Sequence, residues 1–350
     1  MLDFLQKLIK KKKPVIGIDI GEDSIKLVEL KQGDKGYQVL HIASIPTPAG
    51  ALQEGNILDQ EKVEIALMQL LSKSESIAQD VILNISAKNL IVRQIRLPLM
   101  PEKELQQAIE WETEKYIPMQ KDSLHISFIN FGEIQSGQNK QLNILVAAAP
   151  KDLIFAYYDV LSRAGLNILA IEVVPIALWH SVAKNYKTDN KSEAIFMLEM
   201  GAQSTTVVVY RNQKLYFTRS IPIGGNEMDK SISMVLDVSD DKAKSLKEKH
   251  GITDPNNDLT GFPENPAEKL QVAIKGTLSD LMQEIQRSIN FYQELDIEVE
   301  IKKIIIIGGL ANLRNIDEYI SKELNIKVEV FSPGINPSFV TAYGLARRGD

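Results

Sequence analysis

The N-terminal part of the chain contains short apolar runs that are too closely spaced for helices to fit between them. Residues 15–21, 25–31 and 37–45 are each predicted to form a β-strand. Turn-forming residues between the runs favour an antiparallel meander. Apolar positions then recur at helical spacing over 61–72. The first part of the chain therefore predicts a three-stranded meander followed by a helix.

Residues 81–165 show a mixed pattern that predicts a small α+β unit inserted in a larger domain. Proline at a first helical position and turn residues at 135–139 mark a helix start and a hairpin. The predicted elements are strands at 81–85 and 90–97, a helix from Pro101 to Tyr116, a hairpin over 124–149 and a helix at 151–164.

The second half of the chain repeats the opening meander. Apolar runs at 194–200, 205–210 and 214–220 again leave no room for helices. A stretch rich in Asn, Asp, Pro and Gly at 251–266 predicts a loop. The remaining predictions are helices at 227–236, 270–295, 315–324 and 338–348, and a buried strand at 303–307.

Composition limits the possible functions. The 350 residues carry a net charge of −6, which argues against a general nucleic-acid binder. Cysteine is absent, which excludes disulfides and thiolate sites, and the four histidines lack metal-ligand spacing. Residues 1–13 form a basic tail, either solvated or close to an anionic membrane face. No apolar run reaches transmembrane length.

Two hairpins share one pattern of an acidic residue followed by a glycine turn. Asp19 and Gly21 end the first strand of the first meander, and Glu199 and Gly201 end the first strand of the second. Glycine lets the backbone approach a phosphate, and successive N–H groups of a turn form an anion-binding concavity. A preceding carboxylate can bind Mg²⁺ opposite the same phosphates. Each hairpin alone could also be an ordinary β-turn with a solvated acid.

A third glycine motif strengthens this interpretation. The apolar run 304–307 leads into Gly308 and Gly309 and then towards a helix, an arrangement that suits close approach to a nucleoside and its α-phosphate. None of the three motifs has the spacing of a Rossmann fingerprint or a P-loop.

In their order along the chain, these motifs resemble the two phosphate motifs and the adenosine motif of actin-like ATPases. More specifically, the chain resembles the PilM family over nearly its whole length. The resemblance rests on the longer runs 96–101, 109–118, 221–225, 284–288 and 342–346.

The resemblance implies an α/β, actin-like fold: duplicated ribonuclease H-like domains around a nucleotide cleft, with the inserted α+β subdomain that PilM shares with the division protein FtsA. The expected boundaries are domain 1 at 14–190 with the insertion at about 81–165, domain 2 at 191–337 with a nucleoside-side subdomain at about 225–300, and a C-terminal helix at 338–350 returning to domain 1.

The resemblance also implies ATP and Mg²⁺ as ligands, with Asp19 and Glu199 on the metal. The expected nucleotide-binding residues are Asp19, Gly21, Glu22, Asp23, Ser24, Lys26, Gly201, Ala202, Gln203, Ser204, Gly224, Gly225, Lys247, Gly308, Gly309 and Leu310. For Lys247 the alternative is a solvated helix charge. Glu22 replaces the usual Ser or Thr, and Glu199 the usual Asp, which leaves hydrolysis open.

The implied role is a cytoplasmic adaptor of the type IV pilus assembly platform. It would bind the N-terminal tail of a PilN-like membrane protein and reach the inner membrane through that partner, with self-association left open. One alternative is a small-molecule kinase or ATPase of the same superfamily, which needs an acid or base on the acceptor hydroxyl. The other is an FtsA-like membrane-tethered filament, although the expected linker and amphipathic helix do not follow the last predicted helix.

Overall fold

The computed structural model describes residues 13–33, 36–116, 121–136, 139–183, 193–254, 263, 265–295 and 299–348. Apart from Lys13, the predicted basic tail lies outside these residues, as does much of the predicted loop at 251–266.

The described strands and helices follow the predicted order closely. The strands are β1 Val15–Ile20, β2 Ser24–Gly33, β3 Gly36–Pro46, β4 Leu52–Gln53, β5 Asn56–Ile57, β6 Asp80–Ile85, β7 Ile91–Pro98, β8 Leu124–Ser136, β9 Asn139–Pro150, β10 Asn167–Val173, β11 Glu193–Met200, β12 Thr205–Arg211, β13 Lys214–Ile221, β14 Glu300–Ile307 and β15 Val328–Val330. The α-helices are α1 Gln60–Ser74, α2 Glu102–Glu114, α3 Lys151–Arg163, α4 Val174–Leu178, α5 Gly225–Leu236, α6 Asp240–His250, α7 Pro266–Leu295, α8 Ile316–Leu324 and α9 Val340–Ala346. Single 3-10 turns lie at Lys121–Ser123, Gly309–Asn312 and Pro337–Phe339, and a π-helical turn at Trp179–Ala183.

The chain forms two compact units. Unit 1 contains the described residues of Met1–Lys88, Lys151–Val182 and Thr341–Asp350, and unit 2 those of Asn89–Pro150 and Ala183–Val340.

Unit 1 is built on a five-stranded sheet in the order β10-β6-β1-β2-β3. The meander β1-β2-β3 is antiparallel, whereas β6 and β10 add to it in parallel. Alternate residues of β1, including Ile16 and Ile18, are fully buried, as are Leu67 of α1 and Tyr157 of α3. The C-terminal helix α9 contacts the sheet at Gly17, where a Cβ would lie only 1.9 Å from the carbonyl oxygen of Ala342.

Unit 2 repeats this sheet in the order β13-β12-β11-β14-β15. Again three strands form an antiparallel meander and two are added in parallel. The core includes Phe196 of β11 and Tyr292 of α7, whose rings meet edge to face with centroids 5.6 Å apart. The duplication predicted from the two meanders is therefore confirmed.

The inserted segment is narrower than the predicted range 81–165. Strand β6 pairs in parallel with β1, and α3 contacts α1, so both belong to unit 1. The remainder, 89–150, is an antiparallel sheet in the order β7-β9-β8, with Ile95 of β7 and Ile109 of α2 among its buried residues. The sequence boundary was too wide because an isolated apolar run does not reveal which sheet it joins.

Candidate nucleotide-binding motifs

The hairpin between β1 and β2 brings an acidic and a basic side chain together. Asp19 and Lys26 are cross-strand partners, and the Lys26 Nζ lies 3.6 Å from the Asp19 Oδ2. Both side chains are largely buried, at 17% and 16% exposure. The turn itself is closed by the Gly21 N–H, which donates to the carbonyl oxygen of Ser24 at 3.1 Å. A carboxylate, a cation and a glycine turn thus share the end of β1.

Residues distant in the chain support this first turn. The Thr47 hydroxyl donates to the Gly21 carbonyl oxygen at 2.5 Å, and the Thr47 N–H donates to the Asp23 carbonyl at 3.1 Å. The Glu22 carboxylate accepts a hydrogen bond from the Gly55 N–H at 3.0 Å. The first turn is therefore held by the side chains of Thr47 and Glu22 and by the Thr47 backbone N–H.

The hairpin between β11 and β12 closes in the same way. Here the Gly201 N–H donates to the Ser204 carbonyl oxygen at 2.9 Å. The Glu199 carboxylate lies over this turn, since its oxygens would be 3.4 and 3.7 Å from a Cβ on Gly201. The two acidic hairpins singled out in the sequence have equivalent turns in equivalent sheets.

The N-terminus of α5 holds the second turn through the backbone. The N–H groups of Gly225 and Asn226 donate to the carbonyl oxygens of Gly201 and Ala202, at 3.0 and 2.8 Å. A helix leaves its first N–H groups without partners inside the helix, and the turn satisfies two of them. A Cβ on Gly224 would lie 2.5 Å from the Ala202 oxygen. Glycine at 224 is therefore required for this approach.

Lys247 contacts the N-terminus of α5. Its Nζ donates to the Gly225 carbonyl oxygen at 3.0 Å and to the Asp229 Oδ2 at 2.7 Å. Lys247 and Asp229 are only 6% and 7% exposed. The alternative of a solvated helix charge is therefore wrong for Lys247. Its charge is held inside unit 2, beside Gly225.

The third motif ends β14 against the second hairpin. Gly308 has φ +92°, and a Cβ there would lie 2.5 Å from the Met200 carbonyl oxygen. The Gly308 N–H donates to the carbonyl oxygen of Pro337 at 3.1 Å. A Cβ on Gly309, by contrast, would have no atom within 4 Å, while Leu310 is 6% exposed. The Gly309 backbone is therefore open to a ligand.

The structure groups the predicted site residues by unit. In unit 1 it brings together Asp19, Gly21, Glu22, Asp23, Ser24 and Lys26. In unit 2 it brings together Glu199, Gly201, Ala202, Gln203, Ser204, Gly224, Gly225, Lys247, Gly308, Gly309 and Leu310.

The sequence analysis missed Thr47, Gly55 and Asp229. Asp229 left a usable signal, because it interrupts the apolar face that Met228 and Ile232 give α5. Thr47 and Gly55 left none, since their partners in the first turn are distant in sequence.

These residues fit a nucleotide by their backbone and charge. Glycines 224 and 308 occupy positions where a side chain would collide with the second hairpin. Lysines 26 and 247 place a positive charge beside these turns, each paired with a carboxylate in this structure. Among the described residues, no group of three or more His, Asp or Glu side chains could hold a metal by itself. Mg²⁺ is often bound by one or two carboxylates together with phosphate oxygens and water. Its binding by Asp19 and Glu199 stays a prediction.

A protein-family model matches most of the chain. The family model described as type IV pilus assembly protein PilM matches residues 17–342. FtsA of Streptococcus pneumoniae serotype 2 (strain D39) is 23% identical, over 94% of this chain and 79% of the relative. FtsA of Escherichia coli K12 is 20% identical, over 97% of this chain and 90% of the relative.

Solved structures agree with this assignment. A PilM-PilN type IV pilus biogenesis complex contains a chain 25% identical to this one, with a TM-score of 0.82 and coverage of 96% of this chain and 98% of that one. MreB5 of Spiroplasma citri bound to ADP is 14% identical, with a TM-score of 0.57 and coverage of 95% of each chain. The fold is therefore the actin-like one.

None of the helices in the described part of the chain is both long enough and apolar enough to cross a membrane. The PilM match extends over most of the sequence and includes both acidic hairpins and the Gly308 turn. The chain belongs to the PilM family of type IV pilus assembly proteins.

Proposed function

We propose that this chain is an ATP-binding adaptor of the type IV pilus platform, which binds the N-terminal cytoplasmic tail of a PilN-like membrane protein. The observation that carries the proposal is the similarity, over nearly the full chain, to the PilM-PilN complex. The adaptor would lie at the cytoplasmic face of the inner membrane through this partner.

ATP binding is proposed through the three glycine motifs. In unit 1, the Gly21 turn would contribute backbone N–H groups other than that of Gly21, which donates to Ser24, with Lys26 and Asp19 beside the turn. In unit 2, the second hairpin, the open backbone at Gly309 and the buried Lys247 form the corresponding set. Backbone N–H groups in a turn bind anions well, and lysine neutralises phosphate as a point charge.

A switch of this kind does not require hydrolysis. A ligand shifts an equilibrium between two conformations when it binds one of them more tightly. ATP would therefore favour the conformation that binds the partner tail, and the two ligands would raise each other's affinity by the same factor. Whether ATP is also cleaved is a separate property, on which the adaptor role does not depend.

The test is a calorimetric titration of the purified chain with a synthetic N-terminal peptide of the PilN-like protein, with and without Mg-ATP. We expect peptide binding, with a different affinity when Mg-ATP is present. Asp19→Ala should lose ATP binding and, with it, the difference between the two titrations. Asp280→Ala, which removes the same charge from an exposed position of α7, serves as the matched control.

An absence of peptide binding in both titrations would reject the adaptor role. Unchanged ATP and peptide binding by folded Asp19→Ala would reject the role proposed for Asp19.

A further inference from the structure

The short β4–β5 hairpin in unit 1 has a turn made by Glu54 and Gly55. Both have positive φ, at +49° and +75°. A Cβ on Gly55 would lie 2.0 Å from the carbonyl oxygen of Ser86 and 2.5 Å from the Cα of Ala87. Glycine is required at 55 for both reasons, because a side chain would be strained there and would push the neighbouring backbone away.

Gly55 connects two groups that are far apart in the sequence. Its N–H donates to the Glu22 Oε1 at 3.0 Å, and its carbonyl oxygen accepts a hydrogen bond from the Tyr157 hydroxyl at 2.8 Å. Tyr157 is fully buried in α3. Burial raises the pKa of the Tyr157 hydroxyl, and the carboxylates of Asp19 and Glu22 raise it further. The hydroxyl therefore stays protonated and remains a hydrogen-bond donor to Gly55.

The same hairpin contacts the chain just before it leaves unit 1. The Lys88 N–H donates to the Glu54 carbonyl oxygen at 3.0 Å, and the Lys88 Nζ lies 2.6 Å from the Glu54 Oε1. Segment 89–150 begins at the next residue and ends where α3, which carries Tyr157, begins. Both chain connections to the inserted segment therefore lead to residues that contact this hairpin.

Glu22 is an unfavourable residue for a phosphate-binding turn, because its carboxylate repels an anion at short range. The hydrogen bond from Gly55 engages that carboxylate on the β4–β5 hairpin. If the hairpin moved, this bond would be lost and the carboxylate would be free to occupy the anion-binding N–H groups of its own turn.

We propose that Gly55 restrains the Glu22 carboxylate, and that Tyr157 and Lys88 are positioning residues that control phosphate binding through this restraint. The proposal rests on ATP binding at the Gly21 turn. It gives the inserted segment a route to the nucleotide: a displacement of residues 86–88 loosens the hairpin, releases Glu22 and weakens ATP binding. By reciprocity, bound ATP favours the arrangement of 86–88 seen here.

The test measures the dissociation constant of Mg-ATP for four proteins: wild type, Tyr157→Phe, Glu22→Gln and the double variant. One hydrogen bond is worth roughly 0.5–1.5 kcal/mol, so Tyr157→Phe should weaken binding about threefold to tenfold. Glu22→Gln keeps an acceptor for Gly55 but has no charge to compete with phosphate. In the Glu22→Gln background, Tyr157→Phe should therefore change the affinity by less than about twofold.

Two further variants make the result decisive. Tyr158→Phe alters the next residue of α3, which is 48% exposed, and should leave the affinity unchanged. Lys88→Ala removes an exposed side chain and is expected to fold, so it tests the restraint even if Tyr157→Phe is poorly folded. Lys88→Ala should weaken binding less than Tyr157→Phe, and Glu22→Gln should abolish that effect too.

Equal weakening by Tyr157→Phe in both backgrounds, or no weakening by either positioning variant, would overturn the proposal. An absence of Mg-ATP binding by the wild type would instead reject the proposed nucleotide function, so the two failures are distinguishable.

Discussion

The hairpin at Asp19 in unit 1 and the hairpin at Glu199 in unit 2 occupy equivalent positions in duplicated sheets, and both are closed by a glycine N–H. The first is supported by the side chains of Thr47 and Glu22 and by one backbone hydrogen bond, from the Thr47 N–H to the Asp23 carbonyl oxygen. The backbone supports the second, since Gly225 and Asn226 at the start of α5 donate to its carbonyl oxygens. A duplicated element can thus keep its geometry while the contacts that support each copy differ.

In each sheet, a row of cross-strand partners runs through the acidic residue, Asp19 or Glu199. The two rows differ in polarity. In unit 1 the cross-strand partners are Lys26, Asp19, Asn84 and Glu172, all polar. Asn84 is 2% exposed, and within the described residues its Oδ1 has no hydrogen-bond partner. In unit 2 the corresponding row is Thr206, Glu199 and Ile307, which becomes apolar after the acid. The row through the acidic residue is therefore polar on both sides of Asp19 in unit 1 but polar on only one side of Glu199 in unit 2.

The largest predicted effect is on the stability of unit 2. Lys247→Met removes the cation from a buried pair and leaves the Asp229 carboxylate in a site with little solvent. Breaking such a pair typically costs about 3–5 kcal/mol, so we expect the free energy of unfolding to fall by roughly that amount. Urea unfolding followed by circular dichroism measures it.

The double variant Lys247→Met/Asp229→Leu is the control, because replacing both charges with apolar groups is often close to neutral. It should recover most of the lost stability. A double variant as unstable as the single one would show that packing, and not the buried charge, explains the effect.

A smaller effect is expected where the C-terminal helix meets β1. Gly17→Ala would place a Cβ 1.9 Å from the Ala342 carbonyl oxygen and should destabilise unit 1 by about 1–3 kcal/mol. The equivalent position in unit 2 holds Met197, so this close approach belongs to unit 1 alone. Trp179 lies in unit 1 and Trp111 in unit 2. In a Trp111→Phe background, the tryptophan fluorescence comes from Trp179, so its change on unfolding reports on unit 1.

Gly276→Ala is the matched control, since an added Cβ there would have no atom within 4 Å and the residue lies in α7. It should stabilise that helix by about 0.5–1 kcal/mol without altering the Trp179 transition. If Gly17→Ala left the unfolding transition reported by Trp179 fluorescence unchanged, that result would contradict the packing of α9 against Gly17.

The smallest predicted effect concerns two acids on equivalent edge strands. Burial raises the pKa of Glu172 on β10, against the opposing effect of Arg348. Hydrogen bonds from Lys327 and Lys303 lower the pKa of Glu329 on β15. The Glu172 contribution to stability is therefore present at low pH and lost as the pH rises above the ordinary value of 4.5. The Glu329 contribution is present above 4.5 and lost as the pH falls below it.

Unfolding free energies measured over a pH series should show these opposite slopes. Glu172→Gln should remove a decrease in stability above pH 4.5, and Glu329→Gln should remove a decrease below it. If the two substitutions changed the slope of unfolding free energy against pH in the same direction, that result would contradict the assigned environments.

Much of the fold followed from local patterns. The meanders β1-β2-β3 and β11-β12-β13 were predictable because apolar runs lay too close together for helices. Strand β10 and helix α4 were missed, because the run Asn167–Val173 shows little regular alternation and is only partly buried. The insertion boundary was misplaced because the pairing of β6 with β1 is a long-range contact.

The features of the candidate site also differ in how well the sequence predicted them. The glycine turns after Asp19 and Glu199 and at Gly308 were predictable, because each glycine directly follows an acidic residue or an apolar run near the end of a strand. The burial of Lys247 was not, since α6 is otherwise strongly polar and only its contact with Asp229 removes the charge from solvent. The contact between Glu22 and Gly55 depends on backbone geometry that no local pattern encodes.

Calorimetric titration of Mg-ATP into wild type, Gly224→Ala and Gly276→Ala tests whether the duplicated hairpins bind a nucleotide, as proposed. At position 224 a Cβ would lie 2.5 Å from the Ala202 oxygen and displace the second turn, whereas at 276 it meets no atom within 4 Å. We predict binding by the wild type, unchanged binding by Gly276→Ala and at least a tenfold loss, about 1.4 kcal/mol, in folded Gly224→Ala. Equal binding by Gly224→Ala, or none by the wild type, would contradict the account.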